Sequence, residues 1–205
     1  MKTQTLKGFR DFLPQDARKR QFVIAQLKTV FETFGFEPLE TPTLEYEEVL
    51  AGKYGDEGEK LMYRFEDNGQ RRVAMRYDQT VPLARVVAQY GSATTSDGQP
   101  LLPMPFKRYQ IQNVWRAENT QKGRYREFLQ CDIDSIGLQS LSVDSEIVVL
   151  VAQALTVLGF QDYRLLINDR RVFGDLPIEA IITIDKLKKI GADGVKKELT
   201  AKGFS

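Results

Sequence analysis

Histidine is missing from all 205 residues of this chain. That absence removes imidazole acid–base catalysis, Ser-His and Cys-His nucleophilic schemes and histidine-ligated zinc from anything the chain does by itself. Cysteine is nearly absent too. The single Cys131 excludes an internal disulfide and fits a reducing, cytoplasmic setting. Alternating with polar neighbours in a predicted strand, it reads as a small buried residue rather than a nucleophile. No charge of either sign dominates: 29 Lys and Arg against 28 Asp and Glu leave +1, so no global field draws the chain to nucleic acid or membrane. No run approaches a membrane span, and the N-terminus has no apolar signal core. With no G-x-G-x-x-G and no alternation of strands with helices, a dinucleotide-binding fold is disfavoured. Repeats and low-complexity tracts are also absent.

What is present is the composition of an ordinary soluble globular protein, 42% apolar and 28% charged, long enough to bury a sizeable core. A helix is predicted from Pro14, with Asp16 in its first turn, an apolar stripe of Val23, Leu27, Val30, Phe31 and Phe34, and Gly35 as its stop. An extended GFEPLETPTLE follows. Met62–Phe65 and Arg72–Met75 read as strands around a DNGQ turn. A further helix begins near Thr80 with Leu83, Val86, Val87 and Tyr90 on its apolar face. Pro105–Trp115 and Arg124–Ile136 form the strands of a second hairpin. An apolar helix over Ser142–Leu158 has Ser142 as candidate cap, Asp162–Asn168 is predicted as a strand, and helical spacing resumes after Pro177. This order of elements predicts an α+β fold, a mostly antiparallel sheet with helices at its edges and back.

The stretch WRAENTQKGRYREFLQCDID, Trp115 to Asp134, carries the most information. Two extended runs flank a short polar loop. Alternate side chains of a strand share a face, so Arg124, Arg126, Phe128, Gln130, Asp132 and Asp134 are expected to point one way. One hairpin face then offers guanidinium groups for phosphates, a ring for a base and carboxylates for a cation. With Lys107, Arg108 and Lys122, the arginines Arg116, Arg124 and Arg126 also form the one local basic patch suited to RNA, half of it assigned to nucleotide.

The R-x-E, loop, R-x-R-x-F order resembles motif 2 of class II aminoacyl-tRNA synthetases, and QKGRYREFLQCDID is similar to the histidyl-tRNA synthetase family in particular. The first helix with Gly35-Phe36-x-x-Leu39-x-x-Pro42 resembles motif 1, which forms the dimer interface in that family. RYDQTVPLAR resembles a family segment that meets the amino acid's ammonium group. The resemblance spans the chain and implies the antiparallel sheet of class II enzymes, incomplete here. Residues 1–168 would be a partial catalytic core with motifs 1 and 2, and 169–205 a helical segment leading to an inserted domain. It implies a histidine–tRNA ligase, cytoplasmic and homodimeric, whose partners are ATP, histidine and tRNA(His), with no membrane contact.

Aminoacyl adenylation joins a carboxylate to the α-phosphorus of ATP and expels pyrophosphate. The nucleophile is already an anion, so the catalyst must hold negative groups together and stabilise growing charge. Arginine suits this, because its planar fork makes two directed bonds and keeps its proton. By resemblance, Arg116 takes the α-phosphate and carboxylate, Arg124 the β/γ-phosphate end, Glu118 the adenine amino group, and Phe128 stacks on the ring. The bland alternative for either arginine is a salt bridge with Glu118 or Glu127. Asp78, Thr80 and Gln130 match the positions that hold the ammonium, and Asp134 the carboxylate facing the imidazole. Mg²⁺ is expected with the pyrophosphate, held largely by ATP oxygens and carboxylates, with no protein metal site assigned.

There are departures. Asp78 and Asp134 are aspartates where many members have glutamate, and INDRRVFGDLPIEAI is shorter than the family's usual stretch. Motif 3 with its arginine, an R-G-x-x-Y-Y segment, a G-G-G-R-Y-D stretch and an anticodon-binding domain are missing from these 205 residues. The resemblance therefore implies an N-terminal fragment of the catalytic domain. Each lost charge donor typically costs ~10²–10³ in rate, so the piece alone is expected to be almost inert. Two other readings remain: the synthetase-like regulatory subunit of ATP phosphoribosyltransferase, and a non-enzymatic dimerisation or RNA-binding module.

Overall fold

Pro14 opens the first helix at a position where a missing N–H is harmless, and Asp16 complements the dipole. The computed structural model describes residues 3–204, apart from the side chains of Asp56, Glu57 and Arg170. It divides into two compact units, Met1–Asp162 and Tyr163–Ser205.

In the first unit, α1 (Pro14–Thr33) ends where Gly35 turns with φ +75° and the Phe36 N–H returns to the Phe31 carbonyl at 3.0 Å. The chain then forms β1 (Glu37–Pro38), β2 (Leu44–Tyr46), α2 (Glu47–Leu50), α3 (Gly55–Leu61), β3 (Arg64–Glu66), β4 (Arg72–Met75) and α4 (Thr80–Tyr90). Two ten-residue strands follow, β5 (Phe106–Trp115) and β6 (Glu127–Ile136), and then α5 (Leu141–Val157). The strands make two three-stranded sheets, ordered β1-β5-β6 and β2-β4-β3. All pairings are antiparallel except β1 with β5. The α+β class is as predicted, with the sheet divided in two.

One face of the long hairpin is covered by α1 and α5 through Val30, Phe31, Phe36, Tyr109, Leu150 and Ala154. The Phe31 and Tyr109 rings lie 5.5 Å apart, and the Tyr109 hydroxyl donates to Glu32 at 2.8 Å. Lys107 ties β5 to α5 by an ion pair to Glu146 at 2.7 Å. A smaller core of Leu50, Met62 and Ala74 supports the second sheet. The opposite face of the long hairpin is polar, and it carries the site.

Three local expectations change. Ser140, not Ser142, caps α5, its Oγ accepting from the Ser142 N–H at 3.2 Å. Ser140 is the residue still in extended conformation, as a cap must be. Cys131 is exposed rather than buried; it lies on β6, the edge strand of its sheet among the described residues. No strand forms over 162–168. A strand needs a partner ladder, and the described part of the second unit offers only the 3₁₀ turn Arg170–Phe173 and the helices α6 (Ile178–Asp185) and α7 (Leu187–Ala201). Among the described residues no helix is long and apolar enough to cross a membrane.

Candidate active site

Register decides which side chains meet. In the β5–β6 hairpin Arg108 is opposite Asp134, Gln110 opposite Asp132, Gln112 opposite Gln130 and Val114 opposite Phe128. Since opposed residues share a face, β6 and β5 together present one polar layer. The buried Gln79 pins the start of α4 against its centre, donating to the backbone carbonyls of Gln112 at 2.9 Å and Gln130 at 3.2 Å. Asp78 and Thr80 flank that residue, so three of the predicted ammonium-binding positions come together.

Asp78 is also a helix cap. Its Oδ1 accepts from the Tyr54 hydroxyl at 2.8 Å and from the N–H groups of Thr80 at 3.1 Å and Val81 at 3.2 Å. Burial, and next the Asp78 carboxylate, push the Tyr54 hydroxyl far above the ordinary tyrosine range. The Thr80 residue is exposed. Gln130 donates to Asp132 at 2.8 Å, and Asp134 is held by Arg108 at 2.6 Å.

Arg116 sits where β5 ends. Its Nε donates to the Tyr77 carbonyl at 3.1 Å, and its guanidinium carbon lies 4.5 Å from the Tyr77 ring centre and 5.2 Å from that of Phe128. It forms no ion pair with Glu118 or Glu127 among the described residues. Arg124 does: its Nη1 meets Glu118 at 3.2 Å while the side chain stays 65% exposed. It is also not in the strand. Its N–H closes a tight turn on Gln121 at 2.9 Å about Gly123, φ +83°, so the two-residue alternation starts at Phe128. A cleft of about 510 Å³, lined by Tyr54, Leu61, Tyr77, Glu118, Asn119 and Arg124, opens beside these groups. Its volume is in the range of small-molecule sites.

The motif 2 loop is clamped by the chain's beginning. The Gly8 carbonyl accepts from the Arg126 N–H at 2.9 Å, Arg126 Nε donates to the Glu118 carbonyl at 3.0 Å, and Arg10 lies 3.2 Å above the Tyr125 ring. Gly8 has φ +88°, and a Cβ there would stand 2.7 Å from Arg126 Cγ and 2.8 Å from Thr120 Cγ2. Gly8→Ala should therefore destabilise the protein by about 1–2 kcal/mol from left-handed strain alone. Faster hydrogen exchange across residues 119–126 should accompany it; unchanged exchange there would show that the clamp is dispensable.

The sequence reading missed Arg108, Gln110, Gln112, Gln79, Tyr54 and Tyr77. The alternation R-x-Q-x-Q at 108–112 was a signal for the first three. It also placed Lys107 and Arg108 in one basic surface patch, whereas Arg108 is fully buried and Lys107 points to the helical face. Adjacent strand residues must part this way.

Burial pushes the Asp132 carboxyl above the ordinary aspartate range. The Gln130 amide and Arg108 pull it down less than that, and the Asp134 and Asp78 carboxylates add to the rise. The folded state thus holds this proton more tightly than the unfolded chain. Its stabilising contribution is complete below pH 3.8, the ordinary value, and is lost as pH rises through the folded value. Asp132→Asn should raise the melting temperature at neutral pH, and the gain should vanish below pH 3.8; an unchanged or lowered melting point at neutral pH would contradict this.

The histidyl-tRNA synthetase family model matches residues 8–199. A histidine–tRNA ligase of Gloeobacter violaceus is 45% identical over 98% of this chain and 48% of its own length. A solved histidyl-tRNA synthetase from Nostoc sp. superposes with TM-score 0.83 at 32% identity, covering 100% of this chain and 46% of that one. A Bacillus halodurans structure described as an ATP phosphoribosyltransferase regulatory subunit/histidyl-tRNA synthetase gives TM-score 0.62 at 26% identity, over 77% of this chain and 38% of that one. The chain spans about half the length of the curated relatives it matches.

Proposed function

The chain belongs to the histidyl-tRNA synthetase family, and on that premise we propose that its polar hairpin face serves a histidine–tRNA ligase, activating histidine with ATP for transfer to tRNA(His). The single observation that carries this is the position of Arg116, held by the Tyr77 carbonyl between two aromatic rings at the end of the layer containing Gln130 and Asp134. In the proposed reaction a carboxylate oxygen of histidine attacks the α-phosphorus, the bond to the bridging oxygen breaks, and pyrophosphate leaves with that electron pair. A ribose hydroxyl of the tRNA then attacks the activated carbonyl, and AMP leaves.

Arg116 holds the two anions together and meets the charge that builds on the α-phosphoryl oxygens. Phe128 stacks on adenine and Glu118 accepts from its amino group. Arg124 leaves Glu118 for the β/γ-phosphates, exchanging an exposed ion pair that stabilises the free protein little for a charge-assisted phosphate contact. Asp78, Thr80 and Gln130 receive the ammonium and Asp134 the imidazole. Mg²⁺, when bound, would be held largely by the nucleotide and would supply charge neutralisation for the departing pyrophosphate. Among the described residues no three Asp, Glu, His or Cys side chains converge on a metal position, and no step is routed through the ion.

Residues 1–168 would supply the motif 1 and 2 part of the core, with 169–205 a helical segment leading to an inserted domain. Pairing of two copies through the motif 1 region is supported by an apolar groove of about 350 Å³, lined by Val23, Ile24, Leu27, Ile111, Leu129 and Cys131. The test of function is ATP–pyrophosphate exchange by the complete gene product. Exchange that depends on histidine and on no other standard amino acid supports the ligase. Binding of ATP and histidine without exchange would favour a regulatory protein like the Bacillus halodurans neighbour, and no binding of either would overturn the reading.

A further inference from the structure

Among the described residues two arginines are buried, and they are satisfied very differently. Arg76 donates through Nε to the Asn113 carbonyl at 2.7 Å and through Nη1 to the Thr41 carbonyl at 2.5 Å and Gln112 Oε1 at 3.0 Å. Arg108 is as deeply buried, with no exposed side-chain surface, yet only its Nη2 has partners: Asp134 at 2.6 Å and the Gln79 carbonyl at 3.5 Å. Its Nε and Nη1 find none among the described residues, nor do Gln79 Oε1, Gln110 Oε1 and Gln130 Oε1. A guanidinium has five N–H donors. Burying one with most of them unused is a poor way to hold a fold together, because desolvation is offset only by complete hydrogen bonding. Its neighbours are equally lopsided: the carboxylates of Asp134, Asp132 and Asp78 face this one cation.

Resting on the ligase reading above, we propose that Arg108 is a positioning residue for side-chain selection, fixing Asp134 in place as the acceptor for the ring N–H of the amino acid. Selectivity at a polar pocket comes from the penalty a wrong substrate suffers by leaving a buried group unpaired. A carboxylate held by nothing can escape that penalty by turning away from the pocket. Asp134 is held against that escape by a buried guanidinium 2.6 Å away, which keeps its own charge.

The discriminating substrate is thienylalanine, whose five-membered ring matches histidine's shape but has no N–H. In the complete gene product, Arg108→Met should raise KM for histidine about tenfold or more and lower the preference for histidine over thienylalanine by at least ~10²-fold. KM for ATP should stay within about twofold, because Arg108 acts only through the amino-acid pocket. Arg108→Lys, which keeps the charge without the fork, should fall between the two. If Arg108→Met does not fold, Arg108→Lys and the double variant Arg108→Met/Asp134→Asn carry the test, since removing both partners leaves no unpaired charge. The double variant should select no worse than Asp134→Asn alone. Histidine and ATP KM values that shift equally, or full selectivity in Arg108→Lys, would overturn the proposal while leaving the ligase reading intact. A wild-type protein with no histidine-dependent exchange would overturn the ligase reading, and this proposal with it.

Discussion

In the complete gene product, and on the proposed ligase reading, Arg116→Gln should slow histidine-dependent ATP–pyrophosphate exchange by ~10²–10³, the usual cost of one preorganised donor aimed at a developing anion, with little loss of fold. The two effects separate because they draw on different contacts. In the free protein the Arg116 side chain donates one hydrogen bond, to the Tyr77 carbonyl, and packs its guanidinium near two rings. Losing a cation–π contact at a half-exposed site costs about 0.5–1 kcal/mol, and Gln keeps some of the packing. The kinetic effect corresponds to about 2.7–4 kcal/mol, so exchange should collapse while the melting temperature falls by only a few degrees. Arg116→Lys should rescue little, since a point charge cannot bridge carboxylate and phosphate as the fork does. Exchange within threefold of wild type, with a clearly lowered melting point, would assign Arg116 to holding Tyr77 in place and remove it from the chemistry.

How far the sequence foretold this arrangement depends on which signal each part relied on. The hairpin, α1 and α4 were legible because strand alternation, helical stripes and Gly or Pro punctuation all agreed over ten or more residues. Boundaries were less so: Ser140 and Ser142 are both good caps, and only backbone conformation distinguishes them. The strand expected at 162–168 failed because local propensity does not supply a neighbouring ladder. Arg124 was placed in phase with Phe128 by counting, yet Gly123 bends the chain and leaves Arg124 in a turn against Glu118. Arg108 was the larger miss. Composition rules place arginine outside, and only the cross-strand register with Asp134 reveals a guanidinium buried beneath the site.

Arg76→Met should be the most damaging single change to the fold, lowering stability by about 3–5 kcal/mol. Arg76 follows directly on β4 and couples the two sheets through both main chain and side chain. Its N–H donates to the Thr43 carbonyl at 3.0 Å, and its own carbonyl accepts from Trp115, the last residue of β5, at 3.1 Å. Its guanidinium reaches Asn113 and Gln112 on β5 and the Thr41–Pro42 bend ahead of β2, and lies 5.5 Å from the Trp115 ring centre. Methionine fills much of the volume but strands these carbonyls without donors, and each buried unsatisfied group costs about 1–3 kcal/mol. Burial depresses the Arg76 pKa, with Glu45 and Glu40 opposing the shift, but an arginine retains its proton, so the charge persists and the acceptors gathered around Nε and Nη1 offset its burial. Lysine has the charge without the reach to several acceptors, and Arg76→Lys should recover little of the loss. Against a total of about 5–15 kcal/mol for a domain, the change should leave a substantial unfolded fraction, visible as an early urea midpoint. A midpoint shift worth under about 1 kcal/mol, the typical value of one ordinary hydrogen bond, would mean that the sheets are joined by the backbone bonds of Thr43 and Trp115 alone.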